Sequence, residues 1–414
     1  MNRKSLLPVA VLLSGLLFFV SCGEDETIDL TNLIGIEVFP GDTIMEVGTT
    51  VQFRAMGLFS DSSTKDITSS VSWAASPKGV VEISGGGLAT ALEKGETYVV
   101  AGGGAVVGGA VCVSTDAAGL DREKILLDYE VHYLGTNLSN CGWTGAVSGC
   151  DAGTASDESH NKVAERINYY RRMVGLNDDV TLDAAKGAKC QEAALMMKAN
   201  NQLSHNPPTS WTCYTADGAE AAANSNIALG MHSVNAVTGY MDDFGANNKD
   251  VGHRRWLIYS KAKVMGDGST DGSNAIWVMG NSGNPYPANM PEYFSWPPKG
   301  YVPAPLVFDR WSFSKPDADF NAAAVTMKDA SNNSVTVSVI ARSVGYGDNA
   351  IVWEPTGINL GGPGDVKYTV TLTDVNVGGT PKTYTYTVTI VQPGKGKNDP
   401  YQELKRANPQ WQVH

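Results

Sequence analysis

The chain of 414 residues is long enough for several domains, and its charge excludes one broad class of function. It carries 31 Lys and Arg against 43 Asp and Glu, a formal net charge of −12. Broad nucleic-acid binders neutralise phosphates with clustered basic side chains, so this charge argues against nucleic acid as a partner. Hydrophobic residues make up 42%, charged residues only 18%, and there are 45 glycines, a composition typical of exported, β-rich proteins.

The N-terminal residues have the features of an export signal. Arg3 and Lys4 precede an apolar run over 6–20, which is shorter than the roughly 18 residues that a membrane-spanning helix needs. This pattern predicts a signal peptide over 1–22. Phe-Val-Ser-Cys at 19–22 resembles a bacterial lipobox, with Phe where Leu is usual. The resemblance implies that Cys22 is lipidated and anchors an exported protein to the bacterial cell envelope, at the outer membrane or cell surface. A plain secretory signal with a chance cysteine is the alternative.

Five further cysteines follow the signal segment, and an exported compartment permits them to form disulfides. Cys141 with Cys150, and Cys190 with Cys213, are the pairs that lie closest in sequence, and we predict that both are bonded. Cys112 would then remain as a buried thiol on a strand.

Residues 33–115 predict an all-β domain. Val51, Phe53 and Ala55 alternate with other residues as a half-buried strand requires, and turn residues separate several such runs. The motifs in this segment, in order, are Glu46-Val47-Gly48, Val51-Gln52-Phe53, Phe59-Ser60-Asp61, Asp66-Ile67-Thr68, Val71-Ser72-Trp73 and Gly87-Leu88-Ala89-Thr90. This order resembles the bacterial Ig-like domain, group 2. The resemblance implies a β-sandwich of the kind that serves as a spacer or adhesive unit at cell surfaces.

A connector is predicted over 116–156, and after it the spacing of apolar residues becomes helical. Val163, Ile167, Tyr170 and Val174 fall on one helical face. Further helices are predicted over 217–229 and 234–244, and paired strands over 263–266 and 275–279. The pattern predicts a layered α/β domain over 157–290.

The remainder of the chain is again β-rich. A Pro-rich linker at 296–303 leads into alternating strands, so that 291–392 predicts a second β-sandwich and 393–414 a polar tail. Trp296, Tyr301 and Trp311 near the linker could form an aromatic sugar platform. Packing between domains is the alternative.

A series of motifs in the α/β segment points to a known family. They are Ile167-Asn168-Tyr169-Tyr170-Arg171, Gly175-Leu176, Leu203-Ser204-His205, Asn226-Ile227-Ala228-Leu229-Gly230, Tyr240-Met241-Asp242-Asp243 and Val251-Gly252-His253-Arg254-Arg255. In this order they resemble the CAP superfamily, also called the SCP domain. The resemblance implies an α/β/α sandwich, and with it a multidomain chain: Ig-like sandwich, CAP domain and C-terminal β-sandwich.

The resemblance also implies a central cleft that holds two histidines and two acidic residues. His205 and His253 match the histidines and Asp243 the second acid, which makes these three the catalytic candidates. The first acid position is Ser225, a departure from the family, and Glu220 lies five residues before it. His205 and His253 could hold a divalent metal such as zinc. Because no HExxH motif occurs, the alternative is that both imidazoles line the cleft as hydrogen-bonding groups without a metal.

Members of the CAP family share no single reaction, so three functions follow from the resemblance. The first is an exported, lipid-anchored protein that binds an extracellular lipid, glycan or protein ligand in the His/acid cleft. The second is a metal-assisted hydrolase that acts on envelope or extracellular polymers, against which Ser225 argues. The third is a surface adhesin with a mainly structural role. Whether the chain is an enzyme stays open at this point.

Overall fold

The computed structural model describes residues 28–115, 117–362, 364–394, 396–397 and 399–414. The chain divides into two compact units, residues 1–120 and residues 121–414. The predicted signal segment with Cys22 lies outside the described residues. Within the described ranges, no helix combines the length and the apolar character needed to cross a membrane.

The first unit is an all-β domain, as predicted. Its strands are β1 (Leu33–Phe39), β2 (Thr43–Glu46), β3 (Thr50–Gln52), β4 (Arg54–Phe59), β5 (Thr64–Asp66), β6 (Ser72–Ser76), β7 (Val81–Ile83), β8 (Leu88–Ala91), β9 (Gly95–Gly103) and β10 (Val106–Thr115). They form three sheets in the orders β1-β4-β5, β2-β10-β9-β6 and β3-β8-β7. Phe53, Ala55 and Val99 are among the buried residues that fill the space between them. Cys112 is a buried free thiol on β10, which confirms that prediction.

The predicted connector contains a helix that the sequence analysis did not anticipate. Helix α1 (Ala117–Asp128) continues into a π-helical turn (Tyr129–Tyr133) and a short 3₁₀ turn (Leu134–Thr136). The Tyr133 ring is buried in the second unit, where the Arg166 guanidinium lies 3.7 Å from its centroid. The connector is therefore packed onto the domain that follows it.

The next domain has helices on both faces of one sheet. Its helices are α2 (Asp157–Met173), α3 (Ala184–Asn200), α4 (Ala216–Asn224), α5 (Ser233–Asp242) and α6 (Gly252–Leu257), and its strands are β11 (Thr181–Leu182), β12 (Ser225–Leu229), β13 (Val264–Ser269) and β14 (Ser273–Trp277). Successive residues of a strand face opposite sides of a sheet. Ile227 and Ala275 accordingly pack with α3 and α4, whereas Ala228 and Ile276 join the core formed with α2 and α5. The predicted α/β/α layering is confirmed.

One element boundary in this domain differs from the expectation. The helix expected over 217–229 ends at Asn224, and Ser225–Leu229 is instead the strand β12, which pairs antiparallel with β14. All five residues of β12 are buried because the strand lies inside the sheet, with helices covering both faces. A strand buried on both faces carries no alternating pattern, so hydrophobic spacing could not separate it from the helix before it.

The C-terminal domain is a pair of sheets, which confirms the predicted β-rich region. Its strands are β15 (Phe294–Trp296), β16 (Gly300–Pro303), β17 (Trp311–Ser314), β18 (Ala318–Asp319), β19 (Ala324–Asp329), β20 (Ser334–Val335), β21 (Val337–Ser343), β22 (Ala350–Pro355), β23 (Val366–Val377) and β24 (Thr380–Val391). The sheet orders are β15-β17-β22-β21 and β16-β24-β23-β19-β20, with β18 paired to β23. Trp296 and Trp311 are only 0% and 1% exposed. Both rings are packing residues of the core, so the sugar-platform hypothesis is wrong for them.

The segment expected to be a polar tail is folded, so that prediction is wrong. Residues Tyr401–Ala407 form helix α7, and Gln412–Val413 form strand β25, which pairs antiparallel with β12 and extends the central sheet. Trp411 and Val413 are buried whereas Gln412 and His414 are exposed. The alternation of buried and exposed residues in β25 is too short to be recognised in a polar sequence. The strand forms only because the free edge of β12 offers it a pairing partner.

The disulfide pairing also differs from the prediction. Cys150 is bonded to Cys213, which lies 63 positions further along the chain, whereas Cys141 and Cys190 are free and buried. Cys190 lies on the sheet-facing side of α3, in a cluster with Ala193 and Ala221, and cannot turn outward to a loop. The pairing predicted from nearness in sequence is wrong because helix α3 directs the Cys190 side chain toward the sheet.

We expect the Cys150–Cys213 bond to stabilise the protein by about 4 kcal/mol, because it closes a long loop in the unfolded chain. Urea unfolding of a Cys213→Ser variant should show this loss, whereas Cys112→Ser serves as the control at an unbonded cysteine. Peptide mapping that finds Cys190 in a disulfide would contradict the assignment.

Two glycines of β13 allow α3 to lie directly on the sheet. A Cβ atom on Gly266 would come within 2.5 Å of Lys186 Cβ, and one on Gly268 within 2.2 Å of the backbone nitrogen of Gln191. Neither distance is possible for real atoms, so both positions need glycine for close helix–strand contact.

Replacing Gly268 with Ala should lower the free energy of unfolding by about 1–3 kcal/mol or more, because the helix backbone must move away from the strand. The matched control is Gly272→Ala, where the nearest atom to the added Cβ is the flexible Lys198 Nζ at 3.7 Å. Thermal unfolding of the two variants measures the difference, and equal stability would show that α3 can shift at little cost.

Candidate functional site

The site is organised around the residue that ends α5. Asp243 adopts a left-handed conformation with φ of 55°, and its side chain is fully buried. Asp is one of the few non-glycine residues that tolerate this conformation. One carboxylate oxygen accepts a hydrogen bond from His253 Nδ1 at 2.7 Å, and the other accepts from the Arg254 backbone N–H at 3.2 Å. The carboxylate therefore fixes both the start of α6 and the orientation of the His253 ring.

The protonation of His253 is controlled by this partner. Burial by itself lowers the pKa of His253, but the negative charge and the hydrogen bond of Asp243 raise it, with a further contribution from the His414 backbone, and the net pKa lies above the ordinary value. The ring also stacks on Tyr240, with centroids 5.7 Å apart. The imidazole is thus held rigidly, with its Nδ1 proton directed to the carboxylate.

His205 reaches the same site from the loop that follows α3. Its Nδ1 donates to the backbone oxygen of Ala222, at 2.7 Å. Surrounding protein lowers the pKa of His205 below the ordinary value, and the nearby charges of His414 and His253 add to the effect. His205 is therefore neutral near pH 7, with its Nε2 atom left as an acceptor.

His205 and His253 line one cleft with a volume of about 360 Å³. The other lining residues are Ala223, Ser225, Asn226, Asn247, Asn248, Asp250, Gly252, Trp256, Val278, Met279, Tyr346 and His414. The structure thus brings the two predicted histidines together. Asp243 contacts His253 from the protein side of the ring rather than from the cleft.

The two candidate replacements for the first acid behave differently. Ser225 lies on the cleft wall, at the start of β12. Glu220 points to the protein surface, where its carboxylate forms an ion pair with Lys189 at 2.6 Å. Glu220 therefore does not replace the missing acid, and the only carboxylate among the described residues that line the cleft belongs to Asp250.

Arg254 and Arg255 are directed away from the cleft. Arg254 is buried and donates to the backbone oxygens of Met241 and Arg310, at 2.6 and 2.8 Å. Arg255 donates to the backbone oxygen of Asp348, at 3.0 Å. Both guanidinium groups hold the β-sandwich against the α/β/α domain, and they do not add positive charge to the cleft wall.

Trp256, Tyr346 and His414 are among the cleft residues that the sequence did not reveal. Trp256 lies one turn after His253, so its nearness to that motif was an available signal. Tyr346 comes from a loop of the β-sandwich, where it packs within 3.7 Å of the position that a Gly252 Cβ would occupy. His414 comes from the segment that was expected to be a tail. For Tyr346 and His414 only the tertiary structure could place the residue at the cleft.

Comparison with known proteins agrees with the domain order described above. Residues 164–281 match the model of the Cysteine-rich secretory protein family (CAP), and residues 34–114 match that of the bacterial Ig-like domain, group 2. The chain contains a CAP domain. A stretch of 86 residues is 35% identical to Ice-binding protein 1 of Shewanella frigidimarina (strain NCIMB 400). It covers 21% of this chain and 10% of that relative, so the chain spans a small part of the relative's length.

The donor atoms of the CAP cleft do not fit the zinc site that the resemblance implied. Zinc in proteins normally has at least three side-chain ligands. No group of three or more His, Cys, Asp or Glu in the described ranges is placed to hold one ion. Ser225 lies where the resemblance places an acid, and Asp243 contacts His253 from the protein side of the ring, so neither position supplies a carboxylate ligand beside the two histidines. We derive no step through a metal.

The CAP domain has a second, larger cavity of about 680 Å³ between α2, α3 and β13. His160 lies in its wall, and its Nδ1 is 2.8 Å from the buried carboxylate of Asp267. The hydrogen bond to Asp267 outweighs burial and raises the pKa of His160. His160 is thus a partly buried residue that is paired with a fully buried acid.

An Asp243→Asn substitution in the CAP domain should lower the pKa of His253, because burial then acts without the opposing carboxylate charge. The folded-state pKa of His253 is raised above that of an unfolded histidine, which is near 6.5. The His253–Asp243 pair therefore stabilises the protein fully below about pH 6.5. This stabilisation is lost as the pH rises through the folded-state pKa. The variant should therefore lose more stability at pH 6 than at pH 9, on the order of 1–3 kcal/mol at the lower pH.

Histidine-selective NMR titration and urea unfolding at the two pH values measure these effects. Asp250→Asn is the control, since it removes the carboxylate that lines the cleft without contacting His253. An unchanged His253 titration in Asp243→Asn would contradict the assigned role of Asp243.

Proposed function

We propose that this protein is an exported glycan-binding protein of the cell envelope, whose CAP domain holds the ligand in the cleft between His205 and His253. The observation that carries the proposal is the chemistry of the cleft wall, which combines imidazole and amide groups with two aromatic rings. The Ig-like domain serves as a spacer in this proposal.

The cleft lining favours a hydroxyl-rich ligand over a purely hydrophobic one. Imidazoles, the Asn226 amide and the Ser225 hydroxyl offer donors and acceptors that suit sugar hydroxyl groups. Trp256 and Tyr346 offer aromatic faces, and a sugar ring has an apolar C–H face that packs against such rings. A lipid chain would leave the acceptor Nε2 of His205 without a partner, which costs free energy where the ligand excludes water.

Three observations support a location outside the cell. The chain carries a disulfide, which persists in oxidising compartments. It carries an Ig-like domain, and it is similar over 86 residues to a protein named for binding ice. We extend the proposal to a lipid anchor at Cys22, which rests on the lipobox-like sequence alone.

Binding of the intact mature protein to an array of bacterial envelope and extracellular polysaccharides tests the proposal. We expect selective binding that falls about tenfold or more in His253→Ala, because the loss of one well-placed hydrogen bond in the cleft costs about 1.4 kcal/mol. His205→Ala should show a similar loss. Glu220→Gln, on the surface outside the cleft, is the matched control.

The same samples separate the competing functions. Release of reducing sugar ends from bound glycans would favour a hydrolase, in which the His253–Asp243 pair acts as the base. Binding that persists in both histidine variants would place recognition outside the cleft and favour an adhesin. An array without any selective binding would reject the glycan proposal.

A further inference from the structure

The segment 408–414 docks on the CAP domain through backbone and side-chain contacts. His414 and Ile227 exchange two backbone hydrogen bonds, of 2.8 and 3.0 Å, and Asn248 donates to the backbone oxygen of Val413 at 3.1 Å. Trp411 covers Gly230, where a Cβ atom would lie 2.6 Å from the indole ring. These contacts fix the backbone of the segment beside β12.

The helix before this segment is attached next to the residue that organises the cleft. Lys405 and Tyr401 of α7 bond to one carboxylate oxygen of Asp242, at 2.6 and 3.0 Å. Asp242 is 4% exposed and directly precedes Asp243. The two adjacent carboxylates therefore have separate partners: Asp242 holds α7, and Asp243 holds His253.

The alternation of the short strand decides which side chains of the segment reach the cleft. Trp411 and Val413 point into the protein, so His414 is left on the outer side. Its ring stacks on the His205 ring, with centroids 5.1 Å apart and planes inclined by 25°. His414 also lines the cleft, together with His253.

We propose that the segment 408–414 completes the ligand cleft, with His414 as a positioning residue that holds the His205 ring in place. The proposal rests on the proposed function, since it concerns the same cleft. It makes recognition depend on two parts of the chain: the CAP motifs, and a segment that follows the β-sandwich.

The charges around the ring pair are consistent with stacking near neutral pH. Partial shielding from water by the neighbouring protein lowers the pKa of His414, and the nearby charge of His253 lowers it further. The pKa of His205 is lowered as well, so both rings are neutral and do not repel one another. Among the described residues, His253, Asp250 and Tyr346 are the other titratable groups that line the cleft.

The test compares His414→Ala, His414→Phe and Gln412→Ala in the intact mature protein. Gln412 lies on the same strand with its side chain exposed, so its variant controls for changes on β25. On the polysaccharide array described above, His414→Ala should reduce binding by about three- to tenfold, the effect of losing one aromatic pair. His414→Phe keeps a ring over His205 and should stay within about twofold of wild type.

Histidine-selective NMR gives a readout that needs no glycan. In His414→Ala the pKa of His205 should rise toward its ordinary value, because the ring loses its cover and, when both rings are protonated, the repulsion from His414. In Gln412→Ala it should stay unchanged. If wild type binds no glycan, the proposed function fails, and the His205 titration alone decides whether His414 positions that ring.

Three results would overturn the inference. The first is a His205 titration in His414→Ala that matches wild type. The second is undiminished glycan binding by His414→Ala in a protein whose His205→Ala variant has lost binding. The third is a His414→Phe variant as weak as His414→Ala, which would make His414 a ligand-contacting residue instead of a positioning one.

Discussion

The Asp243 carboxylate is the group on which the arrangement of the cleft depends. A buried carboxylate must have charged or hydrogen-bonding partners, and here its two oxygens are bonded to His253 Nδ1 and to the Arg254 backbone. The left-handed turn at Asp243 ends α5 at the point where both partners come within reach. One residue thus ends a helix, starts the next and sets the tautomer of a cleft imidazole.

The β-sandwich is coupled to this arrangement by two arginines, Arg254 and Arg310. Arg310 of the sandwich donates to the backbone oxygens of Asp243 and Asn248, at 2.6 and 2.8 Å, while Arg254 donates in the opposite direction to the Arg310 backbone. Backbone carbonyls at the end of a helix lack partners within the helix, and a guanidinium with five donors can satisfy several of them. The interface therefore supports the same turn that orients His253, and it brings Tyr346 to the rim of the cleft.

A different set of constraints positions the His205 loop. The bond between Cys150 and Cys213 ties the end of this loop region to the connector, and the His205 ring is held by the Ala222 backbone. Helix α3, from which the loop departs, lies on the sheet only because Gly266 and Gly268 leave room for it. The cleft is thus assembled from elements fixed by separate contacts, and its shape does not depend on one flexible loop.

The sequence by itself determined the domain order, the layered α/β/α architecture and the pair His205 and His253, because helical periodicity and the local motifs carry that information. The resemblance of its motif to the CAP family also assigned Asp243 to the same cleft. Tertiary structure alone decided the Cys150–Cys213 pairing, the strand β12 and the roles of Tyr346 and His414. Each of these depends on which surfaces meet after folding. Cys190 lies on the inward side of α3, β12 lies within a sheet that is covered on both faces, and the segment with His414 pairs with the free edge of β12. Contacts between residues far apart in sequence leave no local pattern, so a strand of two residues such as β25 can be recognised only beside the edge that it completes.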